Sequence, residues 1–169
     1  MLGAFAFATA SKPLWSRSVT DKAVQILDDN RLMTISTIRD DGWPQSTVVG
    51  YANEGLDVYF VIFRGSQKFA NIARNDHVSI VVFREPADIR LSEAVYAGAV
   101  AGEVTDSAER DQAWRLLVRR HPNLMGSPEP DWSVAALMRA RLMHLSVLDY
   151  SLGLGHSDAL HVTPDGAPR

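Results

Sequence analysis

The chain has 169 residues, of which 46% are hydrophobic and 22% charged, so it is long enough for one domain with a well-formed core and too short for two large ones. A net charge of −3, with no Lys/Arg-rich run, argues against a generic nucleic-acid binder, and we expect no nucleic-acid partner. The chain contains no cysteine, which excludes disulfides, thiol nucleophiles and cysteine metal sites.

The N-terminal segment, residues 1–19, is predicted to be an arm outside the folded domain. Residues 1–10 are largely apolar and rich in small residues, but they lack the basic region of a signal peptide and are shorter than one. No stretch of the chain approaches the ~20 apolar residues needed to span a bilayer. We therefore expect a cytoplasmic protein with no membrane partner.

The first third of the chain predicts one helix and three strands. Apolar side chains recur on one helical face over residues 20–29. Alternation then predicts a strand from Met33, and an Asp-Gly turn leads into a second strand over 45–52. A short polar turn precedes a third strand over 58–63. Such strands must be antiparallel neighbours, because a parallel crossover needs a dozen or more residues.

The chain after residue 66 predicts a mixture of helices, strands and loops. Gly98 and Gly102 indicate a bulge in their strand or the close approach of another backbone, and Asp106 with Glu109 resembles a capping box at a helix start. In chain order we predict a helix after residue 66, a strand over 77–83, a loop over 84–93, a strand over 95–105, a helix from Asp106 to His121, a loop over 125–131, a short helix over 132–139 and a strand over 142–150.

About six strands with helices at the edges predict an α+β fold that is mainly β, built as a small antiparallel barrel. Residues 20–150 would form this domain, and residues 151–169 a Gly-rich tail. A doubly wound parallel fold is disfavoured because the early strands lack crossover helices.

The turn after the third strand carries the main candidate for ligand binding. Ser66 is a good N-cap residue for the helix that follows. Lys68 then places a cation at the positive end of the helix dipole, which costs roughly 0.3–1 kcal/mol without a compensating anion. A bound phosphate would remove the conflict, since Gly65 allows close approach of the backbone. The alternative is an ordinary cap followed by an exposed lysine.

The order of the elements and the turn at residues 65–68 resemble the pyridoxamine 5′-phosphate oxidase-like family of flavin-binding proteins. The resemblance covers roughly residues 20–150 and is sharpest over 32–83. It implies a six-stranded antiparallel split β-barrel of Greek-key type with flanking helices. It also implies a homodimer with FMN bound between the subunits.

The positions that the resemblance implies for FMN binding fall on three segments. Second-strand residues would offer backbone groups to the flavin ring, third-strand residues would line the same cleft, and turn residues would hold the phosphate. These candidates are Ser46, Thr47, Val48 and Val49 on the second strand, Val61 and Ile62 on the third strand, and Arg64, Ser66, Gln67 and Lys68 at the turn.

Three departures from the family pattern concern this site. Gln67 stands where authentic oxidases carry a bidentate arginine, and we expect Arg64 to supply the missing charge. Ser46 or Thr47 replaces a second phosphate-facing arginine. The tail lacks the Arg-Leu-x-Pro pattern that holds the substrate phosphate. We therefore expect FMN to bind with lower affinity, keep a deazaflavin coenzyme open, and do not expect authentic pyridoxamine-phosphate oxidase activity.

Three late histidines, His144, His156 and His161, have two interpretations. One of them could be a haem ligand, as in split barrels that use a C-terminal histidine. Alternatively, His144 lies on the wet face of a strand, and the tail histidines contact the barrel or a partner subunit. The acidic residues show no ligand spacing, so we predict no metal site.

Our hypothesis is a cytoplasmic homodimer in which FMN moves a hydride or electrons to or from a small organic substrate. No side chain stands out as a general acid or base, so the catalytic residues are unknown. The alternative is a non-enzymatic flavin, deazaflavin or haem-binding protein, including a stress-related sensor, on the same fold. A third interpretation is a structural dimer whose cleft is empty.

Overall fold

The computed structural model describes residues 14–84 and 86–163, and that part of the chain forms eight strands and three α-helices. Short 3-10 turns add to these at Ile89–Leu91, Pro122–Leu124 and Tyr150–Leu152. The elements are α1 (Leu14–Asp29), β1 (Leu32–Ile38), β2 (Pro44–Gly50), β3 (Ala52–Glu54), β4 (Asp57–Phe63), α2 (Gln67–Arg74), β5 (His77–Arg84), β6 (Glu93–Glu103), α3 (Ser107–Arg120), β7 (Ala135–Asp149) and β8 (Ser157–His161).

The strands form one curled antiparallel sheet in the order β2-β1-β5-β6-β7-β4-β3. The 15-residue strand β7 is the centre of this sheet. One of its edges pairs with β6, while the other pairs first with β4 and then with β8. The sheet is thus a half-barrel, which confirms the predicted mainly β, split-barrel fold with eight strands rather than six.

A β-bulge interrupts the pairing of the two longest strands. Gly98 pairs with His144 and Ala99 with Leu142, so Met143 is the extra residue on β7. The predicted bulge at Gly98 is therefore confirmed, although the additional residue lies on the partner strand. Because a bulge increases local twist, it helps these long strands to curl.

The two faces of the sheet pack against different elements. Along β4, Val58, Phe60 and Ile62 face the main core, which also receives Ile26 and Leu27 from α1. The β4 side chains between these three, such as Tyr59, face α3 and belong to a second, smaller cluster. Its buried members are Ala52, Tyr59, Val104, Ala113, Trp114, Leu117 and Leu137.

The predicted short helix over 132–139 is wrong, because β7 already begins at Ala135. Residues 135–138 are all buried: Ala136 and Met138 face the main core, and Leu137 faces the α3 cluster. A strand covered on both faces has no alternation of apolar and polar residues. The continuous apolar run therefore resembled a helix in the sequence.

Several other boundaries differ from the predictions. The predicted second strand is split into β2 and β3 at Tyr51, which is fully buried and donates its hydroxyl hydrogen to the carbonyl of Leu27 at 2.8 Å. The first helix ends at Asp29 as predicted but begins earlier, at Leu14. Residues 1–13, the larger part of the predicted arm, lie outside the described residues.

The predicted tail contains the unanticipated strand β8. Of its five residues, only Leu160 is buried, so its sequence carries almost no strand pattern. Residues 164–169 lie outside the described part of the chain. Among the described residues, no helix combines the length and the apolar character needed to cross a bilayer.

Candidate functional site

Ser66 is the N-cap of α2, as predicted. Its hydroxyl oxygen accepts a hydrogen bond from the backbone N–H of Phe69 at 3.2 Å and donates to the carbonyl of Phe63 at 2.6 Å. These two bonds join the end of β4 to the start of the helix. The hydroxyl is therefore part of a pre-formed turn before any ligand binds.

Lys68 lies in the first turn of α2 and is partly buried. Its ammonium group has no hydrogen bond or ion pair with any described residue, and the first helical turn contains no acidic residue. Burial alone lowers the pKa of Lys68 below its usual value of 10.5. The structure thus holds an uncompensated cation at the positive end of the helix dipole.

Arg64, in contrast, is fully engaged within the chain. Its guanidinium forms a two-pronged ion pair with Glu103, with one contact at 3.0 Å, and donates to the carbonyl of Trp132 at 3.0 Å. It also lies 5.6 Å from the centroid of the Phe69 ring. Arg64 would have to leave Glu103 in order to bind a phosphate, so its assigned role in the turn stays a prediction.

Gln67 takes part in a hydrogen-bond network around a buried asparagine, which the sequence did not reveal. Its side-chain amide donates to Asn71 at 2.9 Å, and Asn71 is completely buried. Asn71 in turn donates to Thr37 at 2.9 Å and to Gln45 at 3.2 Å. The network ties α2 to β1 and to the start of β2. The only signal in the sequence is the four-residue spacing of Gln67 and Asn71 on one helical face.

The four candidates on β2 alternate between the two faces of the sheet. Thr47 pairs with the buried Ile35 and faces inward, whereas Ser46 faces outward and shares a 2.7 Å hydrogen bond with Ser36. Val48 also faces outward and is 65% exposed, and Val49 faces inward. The four side chains therefore do not form one surface, although their backbone groups follow one edge.

Two features of β2 leave hydrogen-bonding groups available to a ligand. Within residues 14–84 and 86–163, β2 is the end strand of the sheet, so one of its edges pairs with no other strand. In addition, the hydroxyl oxygen of Thr47 is shielded from solvent and has no hydrogen-bond partner among these residues. A buried hydroxyl without a partner costs free energy, which a ligand group could recover.

Val61 and Ile62 lie on opposite faces of β4. Ile62 is 6% exposed and packs in the main core. Val61 lines a cavity of about 320 Å³ between β4 and α3. The two side chains therefore do not share one cleft, and their role in cofactor binding stays a prediction.

The cavity beside Val61 is mainly apolar and contains one imidazole. Its other lining residues are Gly50, Trp114, Leu117, His121, Asn123, Leu124 and Pro130. His121 donates from Nε2 to the carbonyl of Tyr51 at 2.9 Å, because a carbonyl can only accept. A side chain at Gly50 would place its Cβ 2.9 Å from the His121 ring, so glycine is needed for this contact. Sequence reasoning missed this cavity, since it depends on the packing of α3.

The three candidate histidines occupy two separate environments. His144 and His161 are exposed and contact each other, with 2.8 Å between their Nδ1 atoms. His156 instead contacts Asp158 at 3.1 Å. The described residues contain no cluster of three or more His, Cys, Asp or Glu side chains of the kind that holds a metal ion.

The site as a whole fits an anionic ligand. Among residues 14–84 and 86–163 Lys68 has no hydrogen-bond or ion-pair partner, and the backbone amides of Gln67 and Lys68 have no acceptors within the helix. The free edge of β2 and the Thr47 hydroxyl could contact the remainder of such a molecule. These residues therefore fit the phosphate ester and the polar ring edge of a flavin nucleotide.

Comparison with known proteins gives one family and many related structures. The family profile of pyridoxamine 5′-phosphate oxidase matches residues 19–144. No curated protein matches the chain in sequence.

Three solved structures illustrate the structural similarity. A haem-binding protein from Mycobacterium smegmatis has a TM-score of 0.73 and 19% identity, over 85% of this chain and 57% of that one. A FAD-binding protein from Mesorhizobium loti has a TM-score of 0.61 and 20% identity, over 75% and 91% of the two chains. The haem storage protein HutZ from Vibrio cholerae has a TM-score of 0.64 and 16% identity, over 80% and 97%. The chain thus spans little more than half of the mycobacterial protein.

Proposed function

The chain belongs to the pyridoxamine 5′-phosphate oxidase-like family, and from this premise we propose that it is a cytoplasmic, FMN-dependent oxidoreductase. Its flavin would exchange a hydride or electrons with a small organic substrate. Authentic pyridoxamine-phosphate oxidase activity is not part of the proposal, because Gln67 and Ser46 or Thr47 stand in place of arginines.

The observation that carries this proposal is the uncompensated cation of Lys68. A phosphate ester at the start of α2 would pair with this ammonium group and accept hydrogen bonds from the amides of Gln67 and Lys68, since the amide of Phe69 already donates to Ser66. The same anion would offset the unfavourable interaction between Lys68 and the helix dipole. A cap followed by a freely hydrated lysine does not explain why this side chain is partly buried.

The residues of the chain would bind and orient the cofactor. Lys68 and the α2 amides would hold the phosphate, while the Thr47 hydroxyl and the β2 edge would contact the flavin. When bound, the flavin supplies the redox chemistry itself. We assign no catalytic side chain.

The proposal includes a homodimer formed through the outer face of the sheet. Val48, Thr34, Val81 and Tyr96 lie in one row across β2, β1, β5 and β6, because Thr34 pairs with both valines and Val81 pairs with Tyr96. Val48 and Tyr96 are 65% and 43% exposed, and Val100 nearby is 38% exposed. Exposed apolar side chains on one face of the sheet support burial against a second copy.

The experiment that tests the cofactor is a paired titration with FMN and riboflavin, which differ only in the phosphate. We expect the wild type to prefer FMN, and Lys68→Ala to lose this preference by about 10- to 100-fold, the range of a charge-assisted contact. Lys68→Arg is the matched control that keeps the cation. Equal affinity of the wild type for the two flavins would contradict the phosphate site.

A second candidate function, haem binding without turnover, is favoured by the exposed pair His144 and His161. Their mutual contact engages Nδ1 of each ring and leaves both Nε2 atoms available to an iron. An absorbance spectrum of the purified protein, followed by titrations with haemin and with a deazaflavin coenzyme, separates these possibilities. A haem Soret band without FMN affinity would replace the oxidoreductase proposal.

A further inference from the structure

His144 and His161 face each other across two paired strands. They are directly opposite in the register of β7 and β8, and their Nδ1 atoms are 2.8 Å apart. Their ring centroids are 5.1 Å apart, and the ring planes are inclined by 73°. Both side chains are exposed.

This geometry resembles one edge of a metal coordination sphere. Neutral imidazole nitrogen is a preferred ligand of zinc, copper and nickel ions. With metal–nitrogen bonds of about 2.0–2.1 Å, two adjacent ligands are separated by roughly 3 Å. The two Nδ1 atoms thus need to separate only slightly to admit an ion between them.

The backbone holds both ligands in place before an ion arrives. The neighbouring pair, Leu145 and Leu160, is buried in the main core, so β8 is anchored beside His161. Gly98 pairs with His144 on the other side, and a side chain there would contact the ring at 3.6 Å. The absence of a side chain at Gly98 leaves the outer side of the His144 ring open.

We propose that His144 and His161 form a chelating site for a divalent transition-metal ion, with Cu²⁺ bound more tightly than Ni²⁺ or Zn²⁺, as the Irving–Williams order requires. Since the described residues bring no third ligand to the pair, water fills the remaining positions. The site is therefore open in the single chain, in contrast to a closed structural zinc site. The ion joins β7 to β8, the last strand of the sheet.

The proposal does not depend on flavin binding, because it uses other residues and other strands. The sequence could not reveal this site, since the two histidines are far apart in the chain and β8 itself was not predicted. The prediction that the protein has no metal site considered only the spacing of acidic residues along the sequence.

The test is a titration of the full chain, without an affinity tag, with Cu²⁺. Calorimetry should give one equivalent per chain, and electron paramagnetic resonance should show nitrogen ligation. His144→Asn and His161→Asn should each weaken binding at least about tenfold, whereas the control His156→Asn should not. Ni²⁺ or Zn²⁺ should raise the Tm of the wild type but not that of His161→Asn.

Two results would overturn the inference. One is Cu²⁺ binding that His161→Asn leaves unchanged, provided that circular dichroism shows this variant to be folded. The other is a haemin Soret band that requires His144 or His161 in a protein that binds no Cu²⁺, because the pair would then serve haem. Unchanged FMN affinity in His161→Asn separates the metal site from the proposed flavin site.

Discussion

Lys68 is the residue whose charge is least well accommodated by its surroundings. The ammonium group is partly removed from water, faces the positive end of α2 and meets no carboxylate among the described residues. Each of these conditions favours the neutral form of a lysine. A ligand phosphate reverses the preference, so ligand binding and protonation of Lys68 are linked.

This linkage predicts a pH dependence with opposite signs for stability and for binding. The folded-state pKa of Lys68 lies below 10.5, so between these two values only the unfolded state retains the proton. The contribution of Lys68 to the stability of the ligand-free protein therefore rises with pH in that interval. FMN affinity should fall over the same interval, because the neutral amine no longer pairs with phosphate.

The ratio of FMN to riboflavin affinity, measured by fluorescence from neutral pH upward, isolates this effect from other titrations. In Lys68→Arg the ratio should stay constant, since the guanidinium remains charged. A wild-type ratio that is constant up to pH 10.5 would show that Lys68 does not contact the phosphate.

The sequence predicted the local roles of residues in the turn, but not the contacts that they and their neighbours make with distant strands. Ser66 and Lys68 were identified correctly as an N-cap and a first-turn cation, because both depend on neighbours within the same few residues. The ion pair of Arg64 with Glu103 and the hydrogen bond of Asn71 to Thr37 could not be predicted. These contacts join distant strands, and single-sequence patterns do not give their register.

Arg120, near the end of α3, stabilises the end of another helix. Its guanidinium donates to the carbonyls of Leu27 and Asn30 at 3.1 and 2.9 Å, and it also contacts Asp28 and Asn53. The carbonyls at the end of a helix have no N–H donor within that helix. A cation beside them supplies the missing hydrogen bonds and interacts favourably with the negative end of the helix dipole. One side chain thus holds two helices and β3 together.

We expect Arg120→Met to lower the free energy of unfolding by about 2–3 kcal/mol, since charge-assisted hydrogen bonds to partly buried carbonyls are lost together. Arg119→Met is the matched control, because Arg119 is the exposed neighbour on the same helix. Urea unfolding of the two variants measures the difference. Equal midpoints would show that Arg120 contributes no more than a surface charge.

The strands were predicted correctly where apolar and polar residues alternate, and also at β4, where a short β-rich apolar run is covered on both faces. The pattern of β1 follows this rule, with Met33, Ile35 and Thr37 buried between more exposed residues. The predictions failed at the start of β7, which is covered on both faces, and at β8, which buries only Leu160. Alternation is a property of half-buried strands, and neither segment is half-buried.

The whole molecule exposes Val48 and Tyr96 on the outer face of its sheet, and these apolar side chains predict a homodimer. Replacing Tyr96 with Glu would place a charge within the proposed contact, where its desolvation is costly. We expect Y96E to convert a dimer into a folded monomer, as measured by light scattering coupled to size-exclusion chromatography. Leu154→Glu is the control, because Leu154 is 73% exposed outside the sheet. A monomeric wild type, or a Y96E variant that stays dimeric, would contradict this interface.

The central position of β7 has a consequence for how the protein is made. Val58 of β4 pairs with Ala140, and Val95 of β6 pairs with Val147. Strands β4 and β6 can therefore complete their pairing only after β7, which comes later in the chain, has been synthesised. Until the ribosome has released β7, the long edges of β4 and β6 have no partner and can associate with other nascent chains. Such non-local pairing also slows folding, because the chain loses loop-closure entropy before the stabilising contacts between distant strands form. We therefore expect the chain to be most prone to association with other chains before residue 149, the end of β7, has emerged from the ribosome.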